Sequence, residues 1–387
     1  MANKARHVAL VLSLNKRFDR KVIEGVTRFV HESGSWSVFL EDDPGAKIPD
    51  FSRGHFDGVI ADLDDARIPK HVAKLKIPVV GIGGIDAASP LKLTVSTVGT
   101  NNEGIAVMAA DYLMRLGLEN FGYCGVPGKT VDPWSRQRQE AFGKRLRERG
   151  YTCSVYIGFT SPSSSWEQLQ EKLAAWLSKL PKPIGVLAAN DVRARHIQEA
   201  CRRFGIRVPD DVAVLGVDND ELICELASPP ITSIIQGTEE IGYRAAALLD
   251  LTMRGRIRNL SRVLVDPVDI VERQSTDLMA TKDPVVSAAL VFIRENACHR
   301  IGVQEVARGI GVSRSTLDGH FKSLANRTVH DEIQRIQLNA TRSLLATTAL
   351  SLDEIAHRAG FCHAQYLAAL FRRVCGQTPG QYRRRMQ

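Results

Sequence analysis

Nowhere do the 387 residues contain an apolar run approaching the roughly 18 residues that a membrane-spanning helix requires. No membrane partner is therefore expected. The seven cysteines (Cys124, Cys153, Cys201, Cys224, Cys298, Cys362 and Cys375) include no CxxC pair. That spacing argues against a zinc site or a disulfide framework and fits a reducing cytoplasm. Cys362-His363 reads as turn filling rather than a metal site. Catalytic constellations are lacking too. Ten histidines are scattered without a Ser-His-Asp, Cys-His or HExxH arrangement. Gly81-Ile82-Gly83-Gly84 has neither the G-x-G-x-x-G spacing nor the Lys-Ser/Thr of a phosphate-binding loop, and reads as a turn. Neither an enzyme nor a cofactor or metal is expected.

The segment Val8–Leu14 faintly resembles the apolar core of a signal peptide. It is followed by Asn15-Lys16-Arg17 with no small-residue cleavage motif, so a first β-strand is the better reading. Hydrophobic content of 44% with 24% charged residues describes a folded chain, and the length implies two or three domains.

From His7 onward, short apolar runs alternate with amphipathic stretches of helical length. Strands are expected at Val8–Leu12, Ser37–Leu40, Gly58–Ala61, Val79–Gly81, Phe121–Gly125, Gly185–Ala189 and Val212–Val217. The intervening helices are expected at Arg20–Glu32, Glu103–Leu116, Ser135–Arg149, Trp166–Leu180, Val192–Phe204 and Thr238–Arg254. Such alternation implies βαβ units and parallel sheets covered on both faces. Residues 1–275 exceed one doubly wound sheet and suit two similar lobes, with crossovers expected near Thr97–Asn102 and Pro229–Gln236.

Ligands of such sheets sit beyond the strand C-termini, and here those positions are polar. They include Asn15 and Asp19, Glu41-Asp42-Asp43, Asp62 to Asp65, Asn190-Asp191, and Asp218-Asn219-Asp220. Any one of these residues could simply make a turn or cap a helix. Their recurrence after five strands points instead to a cleft that takes the hydroxyls of a sugar, each of which donates to a carboxylate and accepts from an Arg or amide.

The remainder is different in charge. Pro284 to Gln387 carry fourteen basic and seven acidic side chains, whereas the whole chain is only +8, so residues 1–283 are nearly neutral. Concentrated positive charge is the footprint of a polyanion ligand. The same stretch holds two helix-turn-helix patterns. The first is Val303-Gln-Glu-Val-Ala307-Arg-Gly-Ile310-Gly311-Val-Ser313-Arg-Ser-Thr-Leu317, continuing to Phe321. The second runs from Leu352 through Ile355-Ala356 and Gly360-Phe361 to Leu367, Leu370 and Phe371. Gly311 and Gly360 suit positive-φ turns, and Ser313 suits a helix cap. Leu317, Phe321, Ile355, Leu367, Leu370 and Phe371 fall at core spacing. Recognition helices are expected at Ser313–Leu324 and Ala364–Val374, held apart by a rigid helix around Asp331–Ala346. Arg383 to Arg385 read as a solvated end.

These hundred residues, including Gly376-Gln-Thr-Pro379-Gly-Gln-Tyr382-Arg383, resemble the AraC/XylS family of transcription regulators. Residues before them resemble the sensors of LacI/GalR-type repressors and periplasmic sugar-binding proteins. That likeness lies in Asp19-Arg20-Lys-Val-Ile-Glu-Gly25, Gly58-Val-Ile-Ala-Asp62-Leu-Asp64-Asp65, Ala194-Arg195-His196-Ile197, Gly216-Val-Asp218-Asn219-Asp-Glu-Leu222, Gln236-Gly237 and Val271-Glu-Arg273-Gln-Ser275-Thr276-Asp277.

The resemblance implies a two-lobed periplasmic-binding-protein-like α/β domain over 1–275, a linker over 276–284 and an all-α double helix-turn-helix domain over 285–387. It implies sugar contacts at Asp19, Glu41, Arg138, Asp191, Asp218, Asn219 and Gln236. Gly99-Thr100-Asn101-Asn102 stands where such sensors usually carry an Asp-Asn pair.

DNA contacts are implied at Arg314, Ser315 and Asp318, and at Ala364, Gln365, Ala368, Arg372 and Arg373. Gln365 suits adenine and the alanines suit thymine methyls or mere helix filling. Asp318 suits cytosine or a local cap, and Arg372 and Arg373 suit phosphates. The implied protein is a cytoplasmic, homodimeric activator of a sugar catabolic operon. Its implied partners are double-stranded DNA, RNA polymerase and a monosaccharide, D-xylose or another pentose. The alternatives are a regulator sensing another small molecule and a sugar-acting enzyme domain fused to a DNA-binding domain.

Overall fold

Two six-stranded sheets form among the described residues of the computed structural model, which are 5–33, 36–41, 56–65, 67–72, 74–83, 95–126, 132–158, 165–257, 259–278, 283–324 and 328–386. The first sheet is built from β1 (Arg6–Val11), β2 (Trp36–Glu41), β3 (Gly58–Asp62), β4 (Val79–Ile82), β5 (Ser96–Thr100) and β11 (Arg262–Val265), in the order β11-β5-β4-β3-β1-β2. The second holds β6 (Asn120–Cys124), β7 (Cys153–Tyr156), β8 (Ile184–Ala188), β9 (Val212–Val217), β10 (Thr232–Ile235) and β12 (Asp269–Val271), in the order β12-β10-β9-β8-β6-β7. Pairing is parallel throughout except for the edge strand β12, which runs antiparallel to β10.

Helices α1 (Arg17–Ser33), α2 (Pro69–Val72), α3 (Asn102–Arg115), α4 (Pro133–Glu148), α5 (Trp166–Ser178), α6 (Asp191–Arg203), α7 (Glu221–Leu226) and α8 (Thr238–Met253) alternate with these strands. Central strands such as β3, β8 and β9 are buried at every position, as parallel strands covered on both faces must be. The segments expected as crossovers contain strands, β5 and β10, and the chain changes sheet just after each. A third passage joins β11 to β12 through Asp266–Val268, and the sequence did not announce it.

The first sheet is covered on one face by α1 and α8, which meet through paired glycines. A Cβ on Gly25 would stand 1.9 Å from the Glu239 carbonyl oxygen, and one on Gly242 would stand 1.9 Å from that of Val22. Polar contacts flank this crossing: Lys21 with Glu239 at 3.1 Å, and the Tyr243 hydroxyl donating to Glu32 at 2.8 Å.

Two compact units are distinguished by their internal contacts, residues 1–114 with 119–276, and residues 115–118 with 277–387. The second contains α9 (Pro284–Asn296), α10 (Val303–Gly309), α11 (Arg314–Leu324), α12 (Val329–Thr347), α13 (Leu352–Arg358), α14 (Ala364–Cys375) and α15 (Pro379–Met386). Helix α9 was not anticipated. Asp283 caps it, accepting from the backbone N–H groups of Val285 and Val286. Within the stretch expected as a linker, residues 279–282 lie outside the described residues.

Two apolar cores organise this helical unit. One gathers Val286, Leu290, Val306, Leu317, Phe321, Ile333 and Ile336. The other gathers Leu338, Leu345, Ile355, Phe361, Leu367, Leu370 and Phe371. All six residues expected as core from their spacing are therefore buried. Gly311 and Gly360 take φ of +73° and +85° at the two turns. Ser313 caps α11, its hydroxyl accepting from the Thr316 N–H at 3.1 Å. The expectation of a solvated end fails at Arg383. Its guanidinium donates to the Leu350 carbonyl at 2.6 Å, and the neighbouring Tyr382 ring packs edge-on against Phe371, so the terminal helix is tied to the second core. The Arg385 side chain lies outside the described residues.

Candidate ligand cleft and nucleic-acid interface

The C-terminal ends of both sheets' strands converge on a cleft of about 440 Å³, within the range of small-molecule sites. Asp19, Arg138, Asp191, Asp218 and Gln236 all line it, brought there from α1, α4, α6 and the ends of β9 and β10. Helix α4 starts with Pro133 at its first turn and buries Arg138, 3% exposed, on the cleft side. The Arg138 guanidinium donates to Asn102 Oδ1 at 2.9 Å, to the Ala189 carbonyl at 2.6 Å and to Gln236 Oε1 at 2.9 Å, and it stacks on the Trp134 ring at 4.8 Å. Gln236 in turn accepts from Thr100 Oγ1 at 3.0 Å and donates to Asp218. Thr100 ends β5 in the first sheet, whereas Ala189 and Asp218 follow strands of the second. The network therefore fastens the two lobes where the chain passes between them.

Two carboxylates, Asp19 and Asp191, are removed from water, and a third, Asp218, is half-buried beside them. Asp19 is 0% exposed. Its Oδ2 accepts from the Ser13 N–H at 2.6 Å, while Oδ1 is buried with no hydrogen-bond partner in the protein. Burial, with repulsion from Asp62 added, raises its pKa to about 7. Asp191 accepts from Ser233 Oγ at 2.5 Å and the Asp220 N–H at 2.7 Å. It fits only because Gly216 has no side chain, since a Cβ there would lie 2.2 Å from Asp191 Oδ1. Burial and the nearby Asp218 push the Asp191 pKa up, and burial pushes Asp218 up against the pull of Arg138. Buried acceptors with unmet capacity, one Arg fork and the Trp134 and Phe18 rings at the wall suit a ring-shaped polyol: hydroxyls donate to the carboxylates and a sugar face meets an aromatic one.

One expected contact is not brought in, and the side chain of another lies outside the described residues. Asn219 is absent from the lining. It adopts φ +48° and donates its backbone N–H to Ser233 Oγ at 2.9 Å, and the turn leaves Asp218 and Asp220, but not Asn219, on the cleft wall. Glu41 ends β2, and its side chain lies outside the described residues, as do Asp42 and Asp43.

Residues not assigned from sequence also line the cleft. Lys16 pairs with Asp62 at 2.7 Å, Arg17 approaches Glu221 at 3.5 Å, and Asp64 and Gln137 join the wall. Asp62 and Asp64 were visible as strand-end carboxylates but were not carried into the contact set. Lys16 and Arg17 follow the first strand, and that position is the sequence signal for their place on the wall.

On the helical unit, Arg314 is exposed and lies 3.5 Å from Asp318, one turn on, so Asp318 has a local partner. The Ser315 hydroxyl is 2.9 Å from that of Ser313. Gln365, Arg372 and Arg373 are exposed on α14, while Ala364 and Ala368 are half-buried and Ala364 packs against the second core. Buried Leu367, Leu370 and Phe371 occupy the opposite stripe, which leaves a polar, basic face.

A two-lobed α/β receptor followed by a double helix-turn-helix unit defines a sugar-responsive, DNA-binding transcription regulator rather than an enzyme. Family models agree: an "XylR N-terminal domain" matches residues 7–103, a periplasmic binding protein-like domain 110–276, and a helix-turn-helix domain 306–385. The xylose operon regulatory protein of Escherichia coli (strain K12) is 36% identical over 384 residues, covering 99% of this chain and 98% of the relative. Its counterpart in Haemophilus influenzae is 33% identical, with 99% of each chain covered. A solved structure described as the xylose-binding transcription activator XylR superposes with a TM-score of 0.80 at 35% identity, covering 99% of both chains. This chain belongs to the family of xylose operon regulatory proteins. No helix among the described residues is long and apolar enough to cross a membrane.

Proposed function

We propose that the chain is a D-xylose-dependent activator of a sugar catabolic operon, acting as a cytoplasmic homodimer that engages RNA polymerase once bound to its promoter. The cleft built around Arg138, the buried Asp19 and Asp191 and the half-buried Asp218 is the observation that carries it, together with full-length similarity to regulators named for xylose. The sugar binds between the lobes and favours one conformation of the receptor. The altered receptor changes DNA affinity, with the segment Arg273–Pro284 and the dimer interface carrying the signal. Calorimetric titration of the full chain with D-xylose tests the reading: saturable heat at or below about millimolar sugar supports it. Silence across pentoses and hexoses removes the sensor assignment.

The assigned contacts are Asp19, Arg138, Asp191, Asp218 and Gln236, with Glu41 added from the family resemblance. A pH dependence follows from the raised carboxylates. A buried Asp whose folded pKa is raised favours the protonated form, so its contribution to stability is complete below the usual carboxylate value near 4 and is lost as pH rises through about 7. Sugar hydroxyls need the ionised acceptors, so binding has the opposite sign. D-xylose affinity is expected to rise between about pH 5 and pH 8, and the sugar-induced increase in melting temperature should grow with it. An affinity independent of pH across that window contradicts the assignment of these carboxylates as acceptors.

For DNA, we assign base contacts to Arg314, Ser315 and Gln365, thymine-methyl contact to Ala368 with Ala364 at its edge, and phosphate contacts to Arg372 and Arg373. Asp318 acts through Arg314. Gln365→Ala should cost about 1–3 kcal/mol at one base position and relax preference there. Arg372→Ala should weaken all sequences alike and lower the salt slope by about one. Electrophoretic titrations on specific and scrambled duplexes separate the two, and equal losses for both variants on both duplexes would refute the assignment.

A further inference from the structure

Helix α12 belongs to both cores of the helical unit. Val329, Ile333 and Ile336 pack in the first and Leu338 and Leu345 in the second. At the changeover sits Gln337, a polar side chain only 6% exposed. Its Nε2 donates to the Ala297 carbonyl at 2.9 Å and to the Gly360 carbonyl at 3.1 Å. Ala297 opens the 3-10 turn after α9, in the first half, whereas Gly360 is the turn of the second helix-turn-helix. The two backbones are themselves close: a Cβ on Gly360 would lie 2.6 Å from the Ala297 carbonyl oxygen and 2.9 Å from Cys298 Cα. Fully buried Thr341 closes the arrangement, donating from Oγ1 to the Gln337 carbonyl at 2.9 Å. One amide group thus clamps a carbonyl from each half, at a place where no side chain fits between them.

We propose that this clamp makes the two recognition helices, α11 and α14, a single rigid reader, and that Gln337 is the positioning residue that fixes the operator's internal spacing. The proposal rests on both helices entering DNA, as assigned above. Adding one base pair between two major-groove contacts moves the second by about 3.4 Å and rotates it by roughly a tenth of a turn. Two halves joined only by a helix and apolar packing can follow such a change by sliding. Two halves whose carbonyls share one donor cannot follow without breaking a buried hydrogen bond.

A merely structural Gln337 would alter stability without altering spacing preference, and that difference is the test. A duplex is enriched from a random library by the full chain with D-xylose present, its contacts are mapped by footprinting, and one or two base pairs are inserted between the two protected major-groove sites. The unmodified chain should lose about tenfold or more in affinity on a single insertion. Gln337→Met, similar in length but without a donor, should lose less than about threefold on the same insertion while its sugar affinity is unchanged. Indifference of the unmodified chain to the insertion overturns the proposal whether or not the variant folds. An equal penalty in the folded variant overturns it as well. A footprint in one major groove only would instead refute the two-helix assignment, and the lock with it; that result appears in the mapping and not in the insertion series.

Discussion

Gly25→Ala and Gly242→Ala should each destabilise the receptor by about 3 kcal/mol or more, through a contact that a single methyl group destroys. Removing a glycine from a helix interior ordinarily gains about 0.8–1 kcal/mol. Here the new Cβ would stand 1.9 Å from a carbonyl oxygen of the facing helix. No rotamer change relieves that overlap, because the obstacle is backbone, so α1 and α8 must move apart. Overpacking of this kind typically costs 1–3 kcal/mol, and more where backbone must shift. Separation also loosens the core between these helices and the first sheet, where Val22, Val26, Ile241, Ala245 and Leu249 are at most 1% exposed. For a unit of this size the melting temperature should fall by about 6–12 °C. Scanning calorimetry checks it, and an unchanged or raised melting temperature for both variants would show that the crossing yields more easily than its geometry indicates.

The second large effect concerns ligand affinity. Asp218→Asn keeps the shape of the side chain and its hydrogen bond with Gln236 within reach, while removing the charge that Arg138 opposes. A charge-assisted hydrogen bond contributes about 1.5–3 kcal/mol, so D-xylose should bind about ten- to a hundredfold more weakly. Asn219→Ala provides the contrast. Asn219 is the next residue but does not line the cleft, and its ordered contact is made by its backbone N–H. Affinity should therefore move less than about threefold, within the range of a change that touches no ligand. Calorimetry on both variants decides the matter: equal losses would mean that the turn as a whole, not the Asp218 carboxylate, holds the sugar.

Much of the architecture was legible because doubly buried parallel strands must be apolar at successive positions. Val-Ala-Leu-Val in β1 and Ile-Gly-Val-Leu-Ala in β8 announce themselves in this way. The strands that escaped notice have the opposite character. β5 reads Ser-Thr-Val-Gly-Thr and β10 reads Thr-Ser-Ile-Ile, which look like loop. Both are nonetheless largely buried, and most of their hydroxyls are satisfied internally, Thr97 Oγ1 being an exception. Ser96 Oγ accepts from the Ser261 N–H at 3.1 Å, Thr232 Oγ1 donates to the Arg273 carbonyl at 2.9 Å, and Ser233 Oγ donates to Asp191 at 2.5 Å. Those partners are distant in sequence, so no local pattern shows that the polar atoms are paired. β7, β11 and β12 lie at or next to sheet edges and are short, with little apolar signal to detect.

The cleft was legible for a similar reason and to a similar depth. Asn15, Asp19, Asp62, Asp64, Asn190, Asp191, Asp218 and Asp220, all strand-end polar residues, are gathered there because a parallel sheet places every strand C-terminus along one edge, whereas Arg138 was implied only by the family resemblance. Lys16 and Arg17 follow β1 and share that signal, whereas Gln137 sits on α4 and its place on the wall depends on how the two lobes face each other. In the helical unit, the 3.6-residue period revealed the cores of both motifs, whereas Gln337 gave no signal. An isolated glutamine in an amphipathic helix is ordinarily surface, and only the meeting of Ala297 with Gly360 makes it interior.

Coupling between sugar and DNA is what the whole assignment requires, and it is measured most directly by fluorescence anisotropy of a labelled promoter duplex titrated with the full chain at several D-xylose concentrations, at fixed salt. Linkage demands that sugar change DNA affinity by the same factor as DNA changes sugar affinity, and couplings of this kind span about 5- to 150-fold. A DNA dissociation constant that falls at least about fivefold on saturation with D-xylose, with the reciprocal change seen calorimetrically, is the predicted result. A constant identical with and without sugar, in a chain that demonstrably binds both, would contradict it.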